Sequence, residues 1–349
     1  MKRIAIIFGG RSSEHEISCV SAATIIKNAD KSKYELFLIG ITKEGRWLAV
    51  DDVKSIEDGS WYNGTKSAVI SPDRQDHGLI ITDENGIVKQ PIDIAFPVLH
   101  GLNGEDGTIQ GLFELACIPY VGCGVLASAC SMDKFYTKIV VDDLNIRQAK
   151  FVPVLKGQLK DMPTLINRVE SALPYPVFVK PSNAGSSKGV SKAHDRDELV
   201  AALKLAAEHD RKILVEEAIN GRELECAVLG GKGSGVGEIE AADEFYSYDA
   251  KYNNEASKTV IGPELPEGKA DEIRRDAEKI FAALDCFGLA RVDFFMENGT
   301  NEVVFNEINT LPGFTSISMF PMLWKAEGVD IPAQIDRLIE LAEKRYLYE

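Results

Sequence analysis

Near the C-terminal end of this 349-residue chain, two short apolar runs carry polar groups at every second position. Arg291 and Asp293 sit in "GLARVDFF" (288–295), Glu307 and Asn309 in "EVVFNEIN" (302–309). Side chains two apart on a strand share a face. If these strands pair, one arginine, two carboxylates and one amide converge between apolar neighbours. Hard oxygen donors of this kind suit Mg²⁺, which keeps several waters and takes further ligands from one or two carboxylates and nucleotide phosphates. The plainer alternative is the solvated face of a half-exposed hairpin. Against it, Asp293 is followed by Phe294-Phe295, and the polar face carries these groups rather than mixed Lys, Glu and Thr. The metal site is therefore the expectation adopted.

Three other stretches could carry chemistry. "KPSNAGSSKG" (180–189) follows the apolar run Pro176 to Val179. A P-loop needs its lysine after the glycines and a helix immediately behind. Here Lys180 ends a strand, and Gly185 and Gly189 follow with Ser186 and Ser187. Backbone N–H groups and hydroxyls can still fold over phosphates, with the lysine reaching them from the strand beneath. A small polar hairpin turn explains the same letters, and this segment alone leaves both readings open. "VEEAINGRELE" (215–225) ends a strand with Glu216 and Glu223, suited to an adenine amine and ribose hydroxyls, although surface glutamates are common. "FGGRSSEHEIS" (8–18) puts two glycines and two serines at the start of a helix, a good place for an anionic group. It is not G-x-G-x-x-G, and a tight βα turn accounts for it without any ligand.

These groups need elements to position them. Residues 4–8 (IAIIF) read as a buried strand, followed after Gly9-Gly10 by a helix through about Ala29. Strands at 34–42 and 92–101 and a helix at 107–116 complete an alternation that predicts a parallel sheet covered on both faces. The stretch 51–91, rich in Asp, Ser, Gly and Asn, reads as surface hairpins and loops. One helix is expected from Leu126 to about Leu144. Strands at 149–154, 176–180 and 212–218 with helices at 163–173 and 197–209 make a compact α+β unit. The last third predicts strands at 223–230 and 236–242, a polar segment at 243–264, a helix at 271–285, the strand pair above, and a closing helix. That helix carries Ile335, Leu338, Ile339 and Ala342 on one face.

The length suggests roughly two or three domains of about 150 residues. Apolar residues make up 45% and charged residues 27%, as in soluble globular proteins. With 39 Lys+Arg against 54 Asp+Glu, the net charge is −15. That field repels phosphate backbones and anionic membranes, so neither nucleic acid nor a membrane is an expected partner. Six cysteines without a C-x-x-C pair and five histidines without a ligand cluster argue against a disulfide framework or a zinc site. They fit a reducing compartment. The apolar run after Met1-Lys2-Arg3 is shorter than a signal-peptide core, so a cytoplasmic location is expected.

Taken together, the chain resembles the D-alanine–D-alanine ligases of the ATP-grasp superfamily. The resemblance rests on "GGRSSEHEIS" (9–18), "LHGLNGEDGTIQG" (99–111), "SACSMDKFYTK" (128–138), "KPSNAGSSKG" (180–189), "YSYDAKY" (246–252), "RVDFF" (291–295) and "FNEINTLPGFTSISMFP" (305–321). It implies three domains: a Rossmann-like parallel-sheet domain at 1–124 and two ATP-grasp domains at 125–215 and 216–349. Residues 185–189 would form a lid over the triphosphate. Lys134, Lys180, Ser187, Glu216, Ala218, Ile219 and Glu223 would hold ATP, and Asp293, Glu307 and Asn309 would bind two Mg²⁺ (or Mn²⁺) ions.

The implied reaction phosphorylates one D-alanine and lets the amine of a second displace the phosphate. Arg291 and the Gly313 N–H would stabilise the oxyanion, and Lys251 would contact the transferred phosphate. Glu14 would orient the first ammonium, with His100 nearby, and Ser318 would receive the second carboxylate. Glu14, Ser186 and Tyr252 would link in a closure that excludes water. Lys188 departs from the apolar residue that many relatives carry in the glycine loop. Tyr252 and Met319 point to D-alanine as the second substrate rather than D-lactate or D-serine. The resemblance also implies a homodimer formed through the N-terminal domain.

Overall fold

A computed structural model of the chain describes residues 1–185, 188–240 and 258–345. The first sheet begins with β1 (Lys2–Gly9), whose run Ile4 to Phe8 is buried on both faces. After α1 (His15–Asn28), β2 (Tyr34–Ile41) pairs parallel to β1. The chain then adds β3 (Trp47–Val50), a short α2 (Val53–Asp58), β4 (Ser67–Ile70), β5 (Gly78–Asp83) and β6 (Gly86–Pro91). It returns to pair β7 (Ile94–Pro97) parallel to β1, ahead of α3 (Thr108–Ala116). The strand order is β6-β5-β4-β3-β2-β1-β7.

Only β1, β2 and β7 are mutually parallel, so the expected parallel sheet is in fact mixed, because the hairpin strands expected within 51–91 are present and extend its edge. The reason lies in connection length. Parallel neighbours need a crossover of a dozen or more residues, whereas Glu84-Asn85 joins β5 to β6 directly and permits only a hairpin. In β4 alternation is visible, with Ala68 and Ile70 inward and Val69 outward.

The expected helix over 126–144 is two helices, α4 (Val125–Met132) and α5 (Lys134–Asp143). Asp133 breaks it by leaving helical geometry and turning its carboxylate onto the N–H groups of Phe135 (3.1 Å) and Tyr136 (3.5 Å). Aspartate competes in this way with helix continuation and favours caps.

The second sheet is antiparallel, in the order β10-β9-β11-β8. Its strands are β8 (Phe151–Leu155), β9 (Val177–Pro181), β10 (Ser191–Ala193) and β11 (Lys212–Glu217), so β11 ends two residues past the expected division at 215. Helices α6 (Met162–Ala172) and α7 (Arg196–His209) cover it. Leu199, Ala202, Leu203 and Ala206 form the buried stripe of α7, at i, i+3, i+4, i+7.

The third sheet is also antiparallel. It contains β12 (Gly221–Leu229), β13 (Lys232–Glu240), β14 (Lys258–Ile261), β15 (Leu289–Glu297) and β16 (Val303–Asn309), in the order β14-β13-β12-β15-β16. β14 lies within the stretch read as a polar connection. One face is covered by α8 (Lys269–Ala283), and Val141 of α5 joins the same core. The other face meets α9 (Met319–Ala326), a helix not anticipated, and α10 (Ile331–Lys344) packs between α9, α1 and β7. That core continues into the first sheet, with Ala227, Leu229 and Phe320 in one cluster with Ile4, Ile6 and Phe8. First and third sheets are thereby docked. Among the described residues no helix is long and apolar enough to cross a membrane.

Candidate active site

β15 and β16 pair as their spacing predicts. Asp293 stands opposite Glu307 and Arg291 opposite Asn309, with the register slipping just beyond Asp293. The Arg291 guanidinium grips Asp293 with two bonds, Nε to Oδ1 and Nη2 to Oδ2, both 2.8 Å. It also reaches Glu225 Oε2 at 3.1 Å, because β12 places Glu225 opposite Asp293. The Asn309 amide donates to Asp293 Oδ2 at 3.0 Å. Burial works against the arginine's charge, but Asp293 and Glu225 outweigh it, and its pKa stands well above the usual value. Lys134 Nζ completes the patch, 3.4 Å from Glu307 Oε2.

Among the described residues no three histidines, cysteines or carboxylates gather into a protein-only metal cage. Two buried or half-buried carboxylates beside an amide nevertheless fit Mg²⁺, a cation that leaves much of its shell to water and phosphate.

Lys134 is the first residue of α5, and its Nζ donates to Ala184 O at 3.0 Å, at the base of the glycine-rich loop. Asp133 fastens that base to the helix. It accepts from Ser182 Oγ (2.6 Å), Asn183 Nδ2 (3.1 Å) and Lys212 Nζ (2.5 Å). Lys180 stands next to last in β9, near the strand end expected, and pairs with Glu216 Oε2 at 2.7 Å, while Lys138 holds Glu216 Oε1 at 3.1 Å. Burial alone would raise the Glu216 carboxyl, but the two lysines hold it down at about 2. Burial lowers the Lys138 ammonium. Lys180 is also buried, yet Glu216, Glu307 and Glu223 keep its pKa above the ordinary lysine value. Ala218, Ile219 and Glu223 line the same cleft.

A second cleft adjoins the first. Glu14, His100, Glu105, Arg291, Gly313 and Ser318 line it, together with Met319. Glu14 precedes α1, and its Oε2 lies so near the glycine loop that a methyl group on Gly185 would be 3.4 Å from it. His15, the next residue, is locked by Gly10 O (2.7 Å) and Tyr62 OH (2.8 Å). His100 Nδ1 donates to Leu311 O at 2.8 Å, and burial lowers its pKa, which favours the neutral ring. Burial and the nearby Glu14 push the Glu105 carboxyl up to about 7. Ser318 Oγ lies 2.7 Å from Thr315 Oγ1, and a Cβ on Gly313 would come within 2.9 Å of Ser318 Oγ. Met319 is buried, with its sulfur against Gly237 of β13. Lys134, Ala184 and Glu307 line both clefts, which therefore meet at the carboxylate patch.

Thus Glu14, His100, Lys134, Lys180, Glu216, Glu223, Arg291, Asp293, Glu307, Asn309, Gly313 and Ser318 come together around two joined clefts. Ser186, Ser187, Lys251 and Tyr252 lie outside the described residues. Sequence reasoning missed Asp133, Lys138, Glu105 and Glu225. Lys138 follows Lys134 by four, hence on one helix face, and Glu225 follows Glu223 by two, hence on one strand face. Those spacings were available signals.

Two antiparallel sheets closing on a cleft lined by lysines and carboxylates, behind a mixed N-terminal sheet, define an ATP-grasp protein. The family models "D-ala D-ala ligase N-terminus" and "D-ala D-ala ligase C-terminus" match residues 3–123 and 140–340. The chain belongs to the D-alanine–D-alanine ligase family. It is 52% identical to the D-alanine–D-alanine ligase of Acetivibrio thermocellus over 99% of this chain and 96% of that protein. With the Clostridium acetobutylicum D-alanine–D-alanine ligase it shares 49% identity over 99% and 98%. Among solved structures, the VanG D-Ala:D-Ser ligase of Enterococcus faecalis superposes with TM-score 0.89 at 39% identity, covering 98% of this chain and 99% of that one. The D-alanine–D-alanine ligase of Coxiella burnetii gives 0.84 at 34%, covering 100% and 97%.

Proposed function

We propose that the chain joins two D-alanine molecules at the expense of ATP, forming D-alanyl-D-alanine for peptidoglycan precursors. The observation that carries this reading is the meeting of the two clefts at Lys134, Ala184 and Glu307. A nucleotide in one cleft presents its terminal phosphate where an amino acid in the other presents its carboxylate. The γ-phosphoryl group passes to the first D-alanine carboxylate, giving an acyl phosphate and ADP. The amine of the second D-alanine attacks that carbonyl, and phosphate departs with the C–O bond.

Phosphoryl transfer asks of a protein chiefly positioning and charge stabilisation. Lys134 and Lys180 neutralise phosphate oxygens, with Ser187 and Lys251 assigned beside them. Glu216, kept ionised by its lysines, accepts from the adenine amine, the backbone at Ala218 and Ile219 borders the base, and Glu223 takes the ribose. Asp293, Glu307 and Asn309 are the residues that would hold two Mg²⁺ or Mn²⁺ ions. Those ions would offset the charge of the β- and γ-phosphates. Arg291 and the Gly313 N–H face the oxyanion, a large effect where donors are preorganised. Glu14 orients the first ammonium beside His100, and Ser318 receives the second carboxylate with Met319 behind it. Ser186 and Tyr252 complete the closure with Glu14, protecting the acyl phosphate from water.

The likeness to a D-Ala:D-Ser ligase makes D-serine the competing second substrate. ADP release with D-alanine alone, then with D-serine or D-lactate added and L-alanine as control, decides between them. No turnover with D-alanine alone would reject the proposal. The family reading also carries a cytoplasmic homodimer joined through its N-terminal domain, divided at 1–124, 125–215 and 216–349, and sedimentation tests the dimer.

A further inference from the structure

The segment between β16 and α9 contains no strand or helix, and its fixed points come from far along the chain. The Leu311 N–H donates to Glu105 Oε1 at 2.9 Å, and the Leu311 carbonyl accepts from His100 Nδ1 at 2.8 Å. Three residues on, the Phe314 N–H donates to Ser21 Oγ at 3.2 Å. Ser21 in turn lies 3.5 Å from His100 Nε2. Glu105 spends its other oxygen on the Gly101 N–H, at 2.7 Å. Gly101 occupies positive φ (63°), and a Cβ there would stand 2.8 Å from Ser12 Oγ and 3.1 Å from Glu14 Oε2. One carboxylate therefore joins the turn beside Glu14 to the loop carrying Gly313.

The backbone between those anchors has little freedom left. With both its N–H and its carbonyl held, Leu311 fixes the peptide plane leading into Pro312. The Pro312 ring sets φ near −65°, so the direction of the Gly313 N–H depends mainly on one torsion. The Ser21 bond to Phe314 restrains that torsion from the far side.

We propose that Glu105 is a positioning residue for the ligation step. By gripping the Gly101 and Leu311 amides together, it aims the Gly313 N–H at the reacting carbonyl, with His100 as its counterpart on the Leu311 carbonyl. This rests on the reading of Gly313 as an oxyanion donor. Glu105 lines the second cleft and not the one assigned to the nucleotide, so its loss should appear in the rate and not in nucleotide affinity.

The test uses the full chain with Glu105→Gln and Glu105→Ala, reading kcat and both KM values by ADP release. Hydrogen exchange at the Leu311 amide is measured in parallel. A misplacement of about 1 Å at a reacting centre costs on the order of 100-fold, and that is the loss of kcat expected for Glu105→Ala, with KM for ATP within about twofold. Glu105→Gln retains one acceptor oxygen and should fall between, and it alone carries the test if the alanine variant does not fold. Leu311 exchange should quicken in step with the loss. Wild-type kcat in Glu105→Gln and Glu105→Ala would overturn the proposal. So would a KM for ATP that rises as kcat falls, or a loss of kcat with Leu311 exchange unchanged, which would mean that the carboxylate meets substrate directly. Gly313→Pro, which deletes the N–H, separates the two readings. Full activity there removes the oxyanion assignment itself, whereas a slow Gly313→Pro beside a fast Glu105→Ala removes only the role of Glu105.

Discussion

The strand pair β15–β16 and the segment that continues from it hold adjacent groups by opposite means. In the pair, sheet register places Asp293 against Glu307 and Arg291 against Asn309, and the bonds that tighten the patch run within one sheet. In the segment 310–318, the anchors lie 206, 211 and 293 residues away in sequence, at Glu105, His100 and Ser21. The first arrangement needs only the third sheet to be folded. The second exists only while the first and third sheets are docked on their common core. The carboxylate patch is thus built locally, and the course of the segment carrying Gly313 is built by assembly.

Breaking the local half should have the largest effect. Glu307→Gln removes a charge that faces both clefts, and kcat should fall by about 1000-fold, the upper range for removing one preorganised electrostatic partner. The side chain is partly exposed, so the melting temperature should hardly move. More than a tenth of wild-type kcat in the ADP-release assay would take Glu307 out of the reaction.

The buried Lys138–Glu216–Lys180 network ties α5 to β9 and β11 of the second sheet and should answer in stability. Lys138→Met leaves Glu216 short of one partner and should cost roughly 3 kcal/mol in urea unfolding, as when other buried pairs are broken. The same carboxylate predicts a pH dependence. Its folded pKa of about 2 lies below the ordinary 4.5, so its contribution is present above pH 4.5 and is lost as pH falls toward 2. Unfolding free energies from pH 6 to pH 3.5 should therefore fall more steeply in the wild type than in Glu216→Gln, the two curves converging. Parallel curves would mean that Glu216 is not the titrating group.

The smallest effect sharpens the assembled half. Ser21→Ala leaves the buried Phe314 N–H without its acceptor, worth about 1–3 kcal/mol. It should slow turnover by only a few-fold, because Leu311 keeps both of its holds. A loss equal to that of Glu105→Ala would show that Ser21, not Glu105, governs the segment.

Much of the local half was legible in the letters. Polar groups two apart in two neighbouring apolar runs announce one shared face, and pairing then follows from the short connection at 298–302. Lys180 at a strand end and the stripe of α10 were readable for the same reason, since period and burial are properties of a few consecutive residues. The break at Asp133 was not, because an aspartate inside a helical run becomes a cap only when Ser182, Asn183 and Lys212 arrive to share its carboxylate. The hairpins expected within 51–91 are present, but their joining to the first sheet through β3 was not legible, because which edge a hairpin meets is not set by its own residues.

Composition and spacing settled the kinds of groups available and their faces on each strand, while the family was legible through the resemblance of seven quoted motifs. Glu105 stood in a quoted motif with no visible task, because a carboxylate's task is set by which N–H groups meet it. Those donors belong to Gly101, four residues off, and Leu311, more than two hundred off. Side-chain periodicity is a short-range property of the backbone, whereas closing a loop of that length is decided by the burial of whole sheet faces. That is why the carboxylate patch could be foreseen and the grip on Leu311 could not.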